Sequence, residues 1–353
     1  MPNNKDLTTA KREKKDEFYT QLTDIEKELK YYNSQFKDKV VYCNCDDPFE
    51  SNFFKFFALK FNSLGLKKLI ATCYMGSSIS NTELILFDNE SAENKTTKVP
   101  HKIVINELTD ENNDGGMDLR DIVISLAKNQ NNTLTRLQGD GDFRSAECIE
   151  LLKEADIVCT NPPFSLFREY VAQLVEYDKQ FLIIGNVNAV SYKETFKLIK
   201  ENKLRLGRSI KSGDREFRVP EHYPLEAAGC RVADDGNKYL RIKGVRWFTN
   251  LDLSKYYEDI ILWNNYNPEE HKKYDNYDAI NIDKTNEIPK DYAGEIGVPI
   301  TFLDKWNPNQ FEIIGLDNNN DETKYKWGAN TINGKTIYRR IIIKPKDLRY
   351  DMK

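Results

Sequence analysis

The chain has 353 residues, with 52 Lys and Arg against 56 Asp and Glu and a formal net charge of -4. A 39% hydrophobic and 12% aromatic content excludes a disordered chain and suits one large domain or two moderate ones of roughly 150 residues each. No apolar run reaches the roughly 20 residues of a membrane span, and the N-terminus lacks the apolar stretch of a secretion signal, so the cytoplasm is the expected location. The six Cys contain no C-x-x-C pair and the three His lie far apart, so neither a disulfide framework nor a metal centre is expected. The negative balance gives no global attraction to nucleic acid, and any such contact must come from local charge.

In chain order, a basic lead gives way to a helical pattern over about 17–32, with Phe18, Leu22, Ile25 and Leu29 on one face. Residues 40–45 read as a buried strand, and Asp47-Pro48-Phe49-Glu50 supplies an N-cap acid, a first-turn proline and a capping-box Glu for a helix ending near Gly65. Residues 68–74 return as a second strand, and strand-helix-strand implies a parallel sheet. Strands over 82–89 and 99–106 and a helix within 109–132 read as an insertion. The pattern resumes with residues 133–142, a helix over 145–154, a strand over 156–160, an amphipathic helix carrying Leu166, Phe167, Tyr170, Val171, Leu174 and Val175, a strand over 180–187 and a helix over 192–201. This succession is doubly wound α/β. Beyond about Asn250 the composition shifts to Tyr, Asn, Asp and Pro, with strand-like runs at 296–302, 311–316 and 336–343 and no fixed repeat.

Asn161-Pro162-Pro163-Phe164 follows a buried strand directly and precedes an amphipathic helix, where open α/β sheets bind ligands. A rigid turn with a solvated Asn is the bland alternative. The tetrapeptide suits methylation of a planar amino group, whose nitrogen is a poor nucleophile because its lone pair is delocalised. An enzyme must hold both N–H hydrogens and let the nitrogen pyramidalise, and Asn161 Oδ1 with the Pro162 carbonyl can accept them. Neither proline has a donor, so the backbone is fixed with carbonyls available, and Phe164 can stack on a flipped base. Such a displacement needs proximity and orientation, with no metal and no covalent intermediate.

Here the chain resembles the amino-methyltransferases, and more narrowly the EcoRI modification methylase family of adenine-specific DNA methyltransferases. The resemblance rests on 161–164, on Asp16-Glu17-Phe18-Tyr19-Thr20, on residues 43–57 (CNCDDPFESNFFKFF) and on residues 297–315 (GVPITFLDKWNPNQFEIIG). It implies a Rossmann-like class I methyltransferase sheet, S-adenosylmethionine as cofactor and double-stranded DNA as partner. By position it implies Phe18, Tyr19 and Thr20 against the methionine part of the cofactor, Asp46 in the cofactor loop, and Asp142 with Phe143 in Gly139–Phe143 at its adenine. Core packing of Phe18, a loop salt bridge at Asp46 and a plain glycine turn at 139–143 are the alternatives. Two departures stand out: residues 43–48 hold no G-x-G, and the strand at 68–74 lacks the acid that normally grips a ribose.

A basic run, including Lys197, Lys203, Arg205, Arg208, Lys211 and Arg215, is a candidate phosphate track, with a solvated face as its alternative. The loop over 209–218 is positioned to approach the target, and Trp247, Trp263 and Trp306 are expected in the core. The expected organisation is an N-terminal helix with cofactor motif over 1–35, a catalytic domain over 36–250 with an insertion about 76–132, and a target-recognition region over 251–353. The expected activity is site-specific methylation of adenine N6 in duplex DNA (EC 2.1.1.72) for restriction-modification or phage or host DNA protection, by a monomer with a cognate endonuclease acting at the same site. A protein-glutamine N5-methyltransferase is the alternative, because an amide nitrogen poses the same chemical problem. A cofactor-binding DNA module without catalysis is the third reading, disfavoured by an intact 161–164.

Overall fold

Strand formation follows the β-branched runs. In the computed structural model, which describes residues 19–45, 51–73, 100–111, 115–219, 229–234, 236–317 and 330–346, β1 (Val40–Asn44) is buried along its whole length. It pairs in parallel with β2 (Lys68–Thr72) on one side and with β5 (Ile157–Thr160) on the other. Between β2 and β5 the chain adds β3 (His101–Ile105) and β4 (Thr133–Arg136), each antiparallel to its predecessor in the sheet. Beyond β5 come β6 (Gln180–Asn186), parallel, and β11 (Val245–Thr249), antiparallel to β6. The fold is therefore mixed α/β around a large mixed sheet, ordered β4-β3-β2-β1-β5-β6-β11 across these strands.

The helices begin where local chemistry allows. Residues 47–50 lie outside the described residues, and the helix after β1 is Asn52–Leu59, with the Ser51 hydroxyl accepting from the Phe53 amide at 3.1 Å. Its four buried phenylalanines cover the sheet, and a short second helix, Phe61–Leu64, ends at Gly65 with φ +64°. The N-terminal helix is shorter than its periodicity suggests, Leu22–Leu29. Tyr19 instead forms an antiparallel bridge with Arg218. Phe18 and the strand expected at 82–89 fall outside the described residues. The helices Leu119–Lys128, Ala146–Glu154, Phe167–Glu176 and Lys193–Lys200 lie close to their expected places.

The chain divides into two compact units, and the division differs from a single cut near residue 250. The first comprises Met1–Asn186 with Gly207–Leu251, and the second Val187–Leu206 with Asp252–Lys353. The first also holds a small antiparallel sheet of β8 (Asp214–Val219), β10 (Lys238–Lys243) and β9 (Cys230–Val232). In the second, β12 (Ala279–Asn281), β13 (Glu295–Val298), β17 (Ile341–Pro345) and β14 (Phe311–Leu316) make a four-stranded sheet. The run at 296–302 is part strand and part 3-10 turn, Ile300–Asp304, because Pro299 ends the ladder. The run at 336–343 is split into β16 (Lys335–Thr336) and β17. Trp247 and Trp306 are core residues, whereas Trp263 is 75% exposed, against expectation. Among the described residues no helix is long and apolar enough to cross a membrane.

Candidate active site

From β1 the chain moves to β2 on one side, then returns to place β5 on the other. This makes the carboxyl ends of β1 and β5 a topological switch point, the place where open α/β sheets carry a ligand crevice. The register Val41↔Ile157 and Tyr42↔Val158, carried forward at the same offset, sets Asn161 level with Cys45.

Asn161 is 4% exposed, Pro162 and Pro163 are buried, and Phe164 is half-buried at the start of a 3-10 turn, Phe164–Leu166. The Pro163 carbonyl accepts from the Leu166 amide at 3.0 Å, so the turn uses that carbonyl. The helix leaving the turn is anchored by Phe167, which packs on Phe248 at 4.9 Å and on Gly185 of β6, where any Cβ would collide with the ring.

Gly139–Phe143 reaches the same end of the sheet. Gly141 has φ +75°, and a Cβ there would strike the Cys73 carbonyl, so only glycine lets this loop press on the end of β2. Phe143 is buried, edge-on to Tyr170 at 5.1 Å, and its carbonyl accepts from Gln173 Nε2 at 3.2 Å. The Asp142 carboxylate is gripped by Arg144, Nε to Oδ1 at 2.8 Å and Nη2 to Oδ2 at 2.7 Å, so any further donor must share it.

Two features of this crevice, and a third away from it at the loop 208–209, escape sequence reasoning. Asn44, the last residue of β1, is 1% exposed; its Oδ1 accepts from the Tyr170 hydroxyl, while its Nδ2 is buried with no partner. Only its polarity at the end of an apolar strand could have flagged it. Cys45 has φ +110°, a left-handed conformation that a non-glycine residue rarely adopts, and its amide donates to the Thr72 carbonyl at 3.2 Å. The backbone thus takes a glycine-like turn without a glycine. The third is Glu28, fully buried, whose Oε1 and Oε2 accept from the amides of Arg208 (2.7 Å) and Ser209 (2.6 Å), with the Tyr32 hydroxyl at 3.2 Å. Burial pushes its carboxyl up, against the hydrogen bonds that pull it down.

Of the expected cofactor residues, Phe18 and Asp46 lie outside the described residues. Tyr19 and Thr20 are buried. The Thr20 carbonyl accepts from Asn52 Nδ2 at 2.6 Å, at the start of the helix that follows β1, and Thr20 Oγ1 is buried with no partner.

The basic run spans both units. Lys203 and Arg205 belong to the second unit, and Arg208, Lys211 and Arg215 to the first. Lys203 pairs with Glu201 at 2.8 Å. Arg205, expected at a phosphate, is buried, its guanidinium over Tyr256 (4.5 Å) and Tyr257 (4.8 Å), and burial lowers its pKa. Lys211 is exposed, whereas Arg208 and Arg215 are half-buried, Arg215 lying 3.8 Å from Asp24.

A mixed sheet with a proline-fixed, buried Asn at the carboxyl end of a central strand places the chain among enzymes that methylate amino groups. The match is narrower than that class: over residues 6–346 the chain matches the family described as adenine-specific methyltransferase EcoRI, and it belongs to that family. It is 50% identical to the type II methyltransferase M.EcoRI of Escherichia coli, over 98% of each chain. It is 36% identical to the type II methyltransferase M.MpnI of Mycoplasma pneumoniae, over 96% of this chain and 97% of that one. A third relative, M.MgeORF184P of Mycoplasma genitalium, is also 36% identical, over 96% of this chain and 98% of its own. No solved structure matches. The protein is a DNA adenine methyltransferase, and the glutamine alternative falls.

Proposed function

We propose that the protein methylates N6 of an adenine flipped out of duplex DNA, using S-adenosylmethionine bound in the crevice between β1 and β5. The observation that carries this reading is the buried Asn161 in its proline-fixed loop at the end of β5, the strand that pairs with β1. Asn161 Oδ1 and the Pro162 carbonyl accept the two amino hydrogens, and Phe164 stacks on the base. As the nitrogen gains positive charge, these acceptors bind its hydrogens more strongly than in the ground state, which is where the rate gain arises.

The crevice suits a polar cofactor. Asn44 Nδ2 and Thr20 Oγ1 are buried without partners, and an unmet buried polar atom costs about 1–3 kcal/mol, which a bound polar ligand would recover. Tyr19, Thr20, Asn44 and Phe143 would hold it, with Asp142 accepting a donor alongside Arg144, and Phe18 and Asp46 are assigned by position alone. When bound, the cofactor supplies an electrophilic methyl group on sulfonium. The sheet order around β1, with its switch between β2 and β5, supports a Rossmann-like class I arrangement. The exposed Lys211 and the segment 209–218 face the DNA backbone, residues 252–353 contribute to target recognition, and an endonuclease of the same specificity is the natural partner.

The test is incubation of purified protein with unmethylated genomic DNA and labelled cofactor, followed by sequencing to map N6-methyladenine. The expected result is modification at one sequence. Asn161→Ala should lose about a hundredfold or more of the transfer rate while binding S-adenosylhomocysteine as the wild type does. A variant with normal turnover removes Asn161 from the mechanism.

A further inference from the structure

Two stretches far apart in sequence are tied together three times, in reversed order. Glu28 accepts from the amides of Arg208 and Ser209, Asp24 lies 3.8 Å from Arg215, and Tyr19 exchanges backbone hydrogen bonds with Arg218 at 3.0 and 3.2 Å. The Arg218 guanidinium also lies over the Tyr19 ring at 5.1 Å. As residues 19–28 run forward, 208–218 run back alongside them, and the exposed turn Lys211, Ser212 and Gly213 projects between the ties.

The Glu28 tie fixes a backbone conformation. Two successive amides converge on one carboxylate, an arrangement few loop conformations satisfy. It also requires Gly207, because a Cβ there would collide with Glu28 Oε1 and with Trp247 Cβ. A fully buried carboxylate is expensive unless hydrogen-bonded, so the helix Leu22–Leu29 cannot shift without the loop shifting too. At the other end the same stretch enters the crevice, where Asn52 holds the Thr20 carbonyl at the start of the helix after β1.

We propose that Glu28, with Asp24 and Tyr19, is a positioning residue that couples occupancy of the cofactor crevice at Thr20 to the shape of the DNA-facing segment 208–218. This rests on the reading of Thr20 as a cofactor contact given above. A ligand that satisfies Thr20 Oγ1 orders residues 19–28, and the three ties pass that order to 208–218. Linkage makes the effect reciprocal: DNA held by the segment tightens the cofactor by the same factor.

The experiment uses the full chain, with S-adenosylhomocysteine as the probe and a duplex carrying the mapped site. DNA affinity is measured with and without the probe, and probe affinity by calorimetry. In the wild type the probe should tighten DNA binding about fivefold or more. In Glu28→Ala that ratio should fall to near one, while probe affinity in the absence of DNA stays within about twofold of wild type. Glu28→Gln, which keeps one acceptor oxygen, should restore part of the ratio, and Asp24→Asn should reduce it without touching the loop amides. Circular dichroism confirms that each variant is folded, and if Glu28→Ala is not, Glu28→Gln and Asp24→Asn decide by the same ratio. A full ratio in the folded Glu28 variants, or no ratio in the wild type, overturns the coupling. Thr20→Val separates the two ideas: unchanged probe affinity there sinks the crevice reading, whereas weakened probe binding with an intact ratio at Glu28→Ala sinks the coupling alone.

Discussion

The Tyr170 hydroxyl donates to Asn44 Oδ1, joining the helix that leaves the Asn161 loop to the last residue of β1. The same ring meets Phe143 edge-on, so one side chain registers the strand end, the glycine loop and the helix behind Asn161. Tyr170→Phe removes the hydroxyl and leaves a second buried Asn44 atom unmet. It should lower stability by about 1–2 kcal/mol and weaken S-adenosylhomocysteine binding about tenfold by calorimetry. Unchanged cofactor affinity would detach Asn44 from the crevice.

Gly141→Ala combines a positive φ with a collision against the Cys73 carbonyl. The strain should cost about 2 kcal/mol or more and displace Phe143. A denaturation midpoint equal to wild type would show that the loop relaxes freely.

Asp317 gives the protein a pH dependence. It is buried, and burial pushes its carboxyl from 3.8 up to about 6, while a backbone hydrogen bond at Arg340 and the charge of Arg339, 4.0 Å away, pull it back only in part. Because the folded pKa is raised, its stabilising contribution is whole below pH 3.8 and is lost as pH rises through about 6. The loss is up to about 3 kcal/mol. Thermal melts of Asp317→Asn should therefore be flatter than wild type between about pH 4 and 7, and parallel curves would contradict the assignment.

The basic residues separate by burial. Lys211→Gln should flatten the dependence of the logarithm of DNA affinity on the logarithm of salt by about 0.9, the value of one phosphate contact. Arg205→Gln should leave that slope unchanged and lower stability, because its guanidinium packs on aromatic rings inside the second unit. A flattened slope in Arg205→Gln would place it at the DNA after all.

Much of the first unit is legible because its cues are local. Buried apolar runs become β1, β2, β5 and β6, and Asn161-Pro162-Pro163 falls at the end of β5 where the strand-loop-helix pattern puts it. What escapes depends on partners distant in sequence. Arg205 sits in a Lys- and Arg-rich run and reads as surface, yet Tyr256 and Tyr257, some fifty positions on, enclose it. The missing G-x-G reads as a departure, but Cys45 adopts the left-handed turn under tertiary constraint, which propensity does not register. Tyr19 falls within the stretch expected as helix, about 17–32, and forms a bridge with Arg218 instead.

The chain crosses between its two units three times, after Asn186, after Leu206 and after Leu251. The second unit is therefore not a cassette that can be excised at one boundary. Residues 252–353 alone would lack the helix Lys193–Lys200, whose Lys200 Nζ donates to the Ile314 carbonyl at 2.8 Å, and would keep the rings of Tyr256 and Tyr257 without the Arg205 guanidinium that lies over them. Grafting this unit between relatives requires two segments to be exchanged at three junctions, so a single recombination would yield incomplete halves, and substitution within an intact chain is the more accessible route by which this unit diverges.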